Sequence, residues 1–340
     1  MTDRVFAVLG CDSHDHHNPE GHPESAHRLA AVERAIERFP TVDVVTGRAA
    51  VPAELALAHT PDHIAAVREL AAAGGGMIDD DTFVSEGTYR AALGAAGAGL
   101  TAIEQLTEER DDGCVTHAGA IVVARPPGHH ATATTAMGMC IFNNVAVAAT
   151  HLALAGSRVA IIDWDAHHGN GTQEIFWRDD RVMYVSLHGD VTFPGTGNAH
   201  ERGPAGVTPT TVNLPVPSGA TGDVYLALVD RIVAPVVERF APDWVLVSCG
   251  FDAHRDDPLT SMALTAADFG HLTQRVMAMA PPGRTVVFIE GGYDLAAVED
   301  SAAAVLTALT GNHDLLAPPS TGGPGAGRLG EFARIWLSDD

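Results

Sequence analysis

The 340-residue chain sets 43 acidic residues against 20 basic ones, for a formal net charge of −23 with its 18 histidines neutral, and 46% of it is hydrophobic. A chain this long buries roughly three quarters of its unfolded surface, so a globular protein with a large core is expected. The charge argues against nucleic-acid binding, since phosphates would be repelled; it either aids solubility or draws in cationic substrates such as Lys-rich peptides or polyamines.

In chain order, "VFAVLG" reads as a first strand and "ESAHRLAAVERAIERF" as a helix; "AAAGGGMIDDD" is an irregular loop ahead of the helical "TYRAALGAAGAGLTAIEQLTEE". Strand "AIVVARP", helix "NNVAVAATHLALAG" and strands "RVAIID" and "VMYVSLH" follow. The remainder alternates helix "VYLALVDRIVAPVVERF", strand "DWVLVSCG", helix "TAADFGHLTQRVMAMA", strand "TVVFIEGG" and helix "DLAAVEDSAAAVLTALTG". Apolar β-branched strands alternating with helices predict an α/β fold whose parallel sheet is buried on both faces. No internal linker or repeat interrupts the pattern. A single domain over residues 1–340 is expected, with a Gly/Pro-rich tail from about 313 in which "APPSTGGPGAG" (Ala317 to Gly327) is a flexible connection.

No apolar run reaches the length of about 18 residues that a membrane span needs. The N-terminal "MTDRVFAVLGCDSHDHHNPEGH" is too polar for a secretory signal. Cys11, Cys114, Cys140 and Cys249 form no CxxC pair and mostly sit in or beside apolar runs, which reads as buried free thiols in a reducing compartment. A cytoplasmic protein with no membrane partner is the expectation.

Ligands in parallel sheets collect beyond the carboxyl ends of the strands. Four polar clusters obey that rule: "RPPGHH" after "AIVVA", "DWDAHHGNG" after "RVAII", "FDAHRDDP" after "DWVLVSCG", and "EGGYD" after "TVVFI". Asp165 and His167, two apart, share a face in an extended segment, and Asp252 supplies a third donor. Two carboxylates and one imidazole leave a coordination position open, as catalytic rather than structural zinc sites do; oxygen-rich ligation also suits Fe(II) or Co(II). From that motif alone, Asp165 as a helix cap and His167 as a bonded core residue remain an alternative. Asp163 is a further metal carboxylate or a residue that orients a ligand. His129 and His130 need partners for proton chemistry, and Asp163 and Asn170 have the right groups. Tyr293, after two glycines, could donate to an oxyanion or stand as a rim tyrosine.

Taken in order, "RPPGHHA", "GMCIFNNVAVAA", "VAIIDWDAHHGNGTQEIF", "VSLHGD", "FPGTG", "VSCGFDAHRDDPL" and "EGGYDL" resemble the histone deacetylase superfamily of metal-dependent amidohydrolases, which includes acetylpolyamine amidohydrolases. "NPEGHPESAHRL" resembles its opening segment, so the likeness spans about residues 11 to 310. The resemblance implies an arginase/deacetylase fold with a central parallel sheet of about eight strands. It implies Zn²⁺ on Asp165, His167 and Asp252, with Fe²⁺ or Co²⁺ as substitutes. His129 and His130, paired with Asp163 and Asn170, would flank the attacking water, and Tyr293 would face them across the scissile amide. A structural K⁺ would sit by Asp163, Asp165, His167, Ser186 and Leu187. A tunnel for the acylated side chain would be walled by Met139, Phe193 and Leu259, with Gly138 nearby and Asp81 as a rim residue. Asn170 and "EGGY" resemble the class II branch. Met139 departs from the phenylalanine of many relatives, which implies a less rigid channel.

The activity this implies is removal of acetyl or related acyl groups from lysine peptides or similar N-acylated amines. Leu259, where some polyamine-selective relatives have Glu, favours acyl-lysine or a small acylated metabolite over polyamine. An arginase-like ureohydrolase would need further bridging aspartates. A non-catalytic binder of acetylated ligands would not need His129, His130 and Tyr293 together. Relatives of this branch are often dimers or tetramers, so a homo-oligomer is an open expectation.

Overall fold

The computed structural model describes residues 4–111, 117–206 and 208–337. Among the described residues ten strands occur in chain order: β1 Arg4–Leu9, β2 Val42–Thr46, β3 Gly76–Met77, β4 Phe83–Val84, β5 His117–Val123, β6 Val159–Asp163, β7 Val182–Gly189, β8 Thr211–Val216, β9 Trp244–Cys249 and β10 Thr285–Ile289. All except β3 and β4, which form a small antiparallel pair, build one eight-stranded sheet in the order β2-β1-β5-β10-β9-β6-β7-β8. Every pairing in the large sheet is parallel.

Parallel strands need crossovers, and helices on both faces supply them. One face packs residues such as Ile121, Ile162 and Val247 against the helices Ala26–Ile36, Ala266–Met277 and Leu295–Leu309. The other packs Val122, Ile161 and Leu246 against Thr88–Asp111 and Asn144–Leu154. Strands β6 and β9 are buried at every position, as expected of strands covered on both sides. The sheet edges are different. Strand β2 has Val44 55% exposed, and β8 carries Pro215, tolerated because it lies at an edge. Neither matched an uninterrupted apolar run, and both were absent from the sequence expectation.

The topology gathers the chemistry. The four polar clusters follow β5, β6, β9 and β10, which are neighbours at the centre of the sheet in the order β5-β10-β9-β6. Residues more than a hundred apart in sequence therefore emerge side by side on one edge.

The C-terminal segment departs from expectation. Residues 317–327, marked by composition as a flexible connection, are tied down. Ser320 donates from its amide and hydroxyl to Asp268 at 2.9 and 2.6 Å, and Gly323 N donates to Thr221 Oγ1 at 2.8 Å. A helix, Arg328–Trp336, then returns to the core and buries Phe332 and Trp336. Two aromatic residues four apart on one helix face explain the docking. Cys140 and Cys249 are buried free thiols and Cys11 is half-buried, whereas Cys114 lies outside the described residues. Among the described residues no helix is long and apolar enough to cross a membrane.

Phe332→Ala should cost about 3–5 kcal/mol, the usual range for deleting a buried phenyl ring, and lower the denaturation midpoint. An unchanged midpoint would mean that the C-terminal helix does not contribute to the core.

Candidate active site

Strand β6 ends at Asp163, and the chain turns through residues 164–169 into the short helix Asn170–Phe176. The turn is held by side chains: Asp165 N donates to Asp163 Oδ1 at 3.1 Å, and Ala166 N to Asp252 Oδ1 at 2.8 Å. His167 Nδ1 lies 3.1 Å from Asp165 Oδ1 and 2.8 Å from Asp252 Oδ2. The ligand atoms of Asp165, His167 and Asp252 all fall within 4.8 Å of one another. Glycine is required alongside, since a Cβ at Gly250 would collide with the Asp165 carboxylate and one at Gly291 with both carboxylates.

The electrostatics of this trio are strained. Burial and the charge of Asp165 push Asp252 up to about 7. Burial would lower His167, yet the charges of Asp252 and Asp165 lift it to about 11. Asp165 is held well below the carboxylate range, burial being outweighed by the charge of His129 and the His167 contact. Two buried carboxylates that repel each other and share one imidazole fit a divalent cation, which would relieve that repulsion.

His129 and His130 lie beside the trio, 2% and 4% exposed, with ring centroids 4.0 Å apart. His129 Nδ1–H donates to Asp163 Oδ2 at 3.1 Å, and His130 Nδ1–H to Asn170 Oδ1 at 2.9 Å. The partners differ in charge, and so do the imidazoles. Burial opposes protonation of His129, but Asp165 and Asp163 raise it to about 10. Burial and the charges of His129 and His167 hold His130 well below the usual value. Asp163 also accepts from Tyr184 Oη at 2.9 Å. Ser186 is its register partner on β7, with Leu187 the next residue, so the five residues expected around K⁺ are neighbours.

Tyr293 reaches this edge from the loop after β10. Its amide donates to Asp257 Oδ2 at 2.8 Å, and Arg28 sits 5.1 Å from its ring centre. Its hydroxyl is 3.6 Å from Met139 Sδ. Met139 has φ 65° and follows Gly138 at φ 57°, a left-handed pair whose Met139 amide donates to Thr82 Oγ1 at 2.9 Å. That contact draws in the loop holding Asp81, whose carbonyl meets His22 Nε2 at 3.1 Å. Phe193 stands edge-on to His130 at 5.1 Å, and a Cβ at Gly138 would strike both rings. Phe193 and Leu259 are 43% and 46% exposed, so both residues expected along the channel also face solvent.

Several contributors lie inside the quoted motifs but were assigned no role from the sequence. Glu290, the first residue of "EGGYD", is buried and accepts from Gly128 N at 2.7 Å, His129 N at 3.2 Å and Ser248 Oγ at 3.0 Å; burial pushes it to about 7. Glu24 is buried against Arg125, Arg28 and His16. Burial would raise its pKa, but those partners pull it far below the usual carboxylate range. Arg28 in turn donates to Gly292 O at 2.5 Å and to Glu290 O, tying the N-terminal segment to the loop of Tyr293.

A model of the histone deacetylase domain matches residues 22–309. A probable deacetylase of Archaeoglobus fulgidus is 37% identical over 289 residues, covering 82% of this chain and 79% of that protein. A histone deacetylase-like amidohydrolase of Pseudomonas aeruginosa is 35% identical over 308 residues, covering 88% and 80%. The crystal structure of the HDA15 HD domain superposes with a TM-score of 0.88 at 34% identity, covering 99% of this chain and 95% of that one. The chain belongs to the histone deacetylase family and has the arginase/deacetylase fold.

The loop carrying His129 and His130 has a pH-sensitive brace. His59 Nδ1–H donates to Thr132 O at 2.9 Å while its Nε2 accepts from Asn143 N at 2.8 Å, a pattern only neutral imidazole can make. Asn143 also donates to Ala131 O at 3.1 Å and caps the helix Asn144–Leu154. Burial and the charge of His63 depress His59 to about 3. The unfolded chain takes up this proton near pH 6.5 and the folded one near 3, so stability falls as pH drops between those values. The slope is about 1.4 kcal/mol per pH unit. In His59→Gln, denaturation across pH 4 to 6 should show a slope shallower by roughly that amount; an unchanged slope would contradict this role for His59.

Proposed function

We propose that the protein is a metal-dependent amidohydrolase that removes acetyl or related acyl groups from lysine side chains or similar N-acylated amines. The observation that carries the reading is the convergence of two differently partnered histidines, a tyrosine and the Asp165/His167/Asp252 trio on one sheet edge. Zn²⁺, or Fe²⁺ or Co²⁺, held by that trio would supply Lewis-acid polarisation of the carbonyl and a water of lowered pKa.

The chain's own groups do the rest. Asn170 Oδ1 accepts a hydrogen bond from Nδ1–H of His130, which leaves the Nε2 lone pair to accept a proton as water attacks the carbonyl carbon. His129, charged and anchored on Asp163, orients the water and favours the developing negative charge. Tyr293 donates its hydroxyl to the carbonyl oxygen as that oxygen gains charge; a thioether is a weak acceptor, so leaving Met139 Sδ costs little. When the C–N bond breaks, a protonated imidazole returns the proton to the leaving amine. Met139, in place of an aromatic ring, leaves the channel adaptable in acyl length. The remaining elements of the proposal are K⁺ beside Asp163, Asp165, His167, Ser186 and Leu187, one deacetylase domain over residues 1–340, a cytoplasmic location, and no nucleic-acid or membrane partner. Self-association is an accompanying element, read out by sedimentation.

A second substrate class, the acetylated polyamines, is favoured by one feature: the acidic Asp79–Asp81 loop packs on Met139 through Thr82. A panel of acetyl-lysine peptides and acetylated putrescine, cadaverine and spermidine decides between them by kcat/KM; the reading expects the peptides to lead.

Tyr293→Phe should lower kcat by about 10²–10³ while keeping affinity for a carbonyl-mimicking inhibitor. Equal turnover in the variant would remove Tyr293 from the reaction, and no turnover in the wild type on any acylated amine would favour a mere binder. Met139→Phe should raise the ratio of acetyl to long-acyl activity, and an unchanged ratio would remove Met139 from acyl selection.

A further inference from the structure

We propose that His129, Cys140 and Glu290 form a second site for a thiophilic divalent cation, zinc foremost, whose occupation inhibits the enzyme. The inference rests on the amidohydrolase reading for its inhibitory consequence and on geometry alone for the site. The donor atoms of the three residues lie within 4.8 Å of one another, and the residues are 2%, 0% and 1% exposed. Buried potential ligands from three separate segments of chain converge here with no role for Cys140 in the proposed reaction.

Each donor is set for the task. His129 commits Nδ1 to Asp163, so Nε2 is the nitrogen that remains, and it lies 3.8 Å from Asp165 Oδ1. The second site therefore adjoins the first. Glu290 is fixed by Ser248 on one oxygen and by two backbone amides on the other; a carboxylate offers about four acceptor positions, so capacity remains. Cys140 is a free thiol on a loop held by paired backbone bonds between Met137 and Cys140 at 3.1 and 3.0 Å.

An imidazole, a thiol and a carboxylate make a nitrogen, sulfur and oxygen set that suits zinc and its soft congeners and disfavours Mg²⁺ or Ca²⁺. Binding would expel two protons to solvent, one from the thiol and one from Nε2 of His129. Thiolate and carboxylate then neutralise the two positive charges, which burial demands. With the cation on Nε2, His129 can no longer orient the attacking water, and a second dication stands beside the first. Loss of turnover follows from both.

The test uses the full chain loaded with one equivalent of Co²⁺ and titrated with more. Wild type should bind a second equivalent with a thiolate-to-cobalt charge-transfer band, and turnover should fall as the band grows. Cys140→Ala should keep the first equivalent and basal turnover, lack the band, and need at least tenfold more metal for inhibition. Cys140→Ser checks the same point with volume conserved, and Glu290→Gln should weaken the second equivalent at least tenfold. Inhibition without a band, or equal inhibition of wild type and Cys140→Ala, overturns the proposal. Asp252→Ala separates the two readings: a band that persists there supports the second site whatever becomes of the first, and a band that vanishes there in a folded chain overturns an independent site.

Discussion

Two carboxylates buried beside each other are the constraint around which this molecule is arranged. Asp165 and Asp252 are at most 1% exposed and contact the same imidazole nitrogen of His167. Burying such charges without compensation is costly, and the surroundings show what compensation exists. Backbone amides of Ala166, His167 and Gly291 donate to the two carboxylates, and among the described residues His167 alone supplies a positive charge in direct contact with both. Glycines at 250 and 291 leave the space the carboxylates occupy. The parallel sheet makes this feasible, because adjacent strands β9, β6 and β10 end together and present their loops to one point.

From that point outward, support is layered by charge. The site's neighbours include a positive His129 on Asp163 and a neutral His130 on Asn170, so two chemically identical side chains are separated in protonation by their partners. Behind them Glu290 joins the His129 loop to β9 and β10, and the buried Glu24, Arg125 and Arg28 group clamps the N-terminal segment onto the Tyr293 loop. Tyr293 is thereby held on three sides, by Asp257 at its amide, Arg28 at its ring and Met139 at its hydroxyl. Such bracing is what keeps reacting groups within the tolerances that catalysis needs.

Much of this was legible in the amino acids because the fold writes its centre in strong local signals. Central strands are continuous β-branched runs, and polar clusters directly after them mark the ligand edge, so Asp165, His167, Asp252, His129, His130, Asn170 and Tyr293 stood out. Edge strands β2 and β8 did not, since an exposed or proline-bearing strand lacks the apolar run. Residues whose meaning is set only by distant partners were also silent: Glu290 binds amides 161 and 162 positions away, and His59 meets Asn143 across 84. The Gly/Pro-rich 317–327 stretch misled because composition reports chain stiffness and not the hydroxyl and carboxylate groups waiting on Asp268 and Thr221 to hold it.

The most direct measurement is a metal-edge crystallographic or X-ray absorption determination of the ion bound by the purified chain. The account predicts one tightly held divalent ion per chain on Asp165, His167 and Asp252, with a coordination position not filled by protein on the side of His130 and Tyr293. A turnover-competent chain with no ion there, or an ion whose sphere is closed by a fourth protein donor, would contradict it.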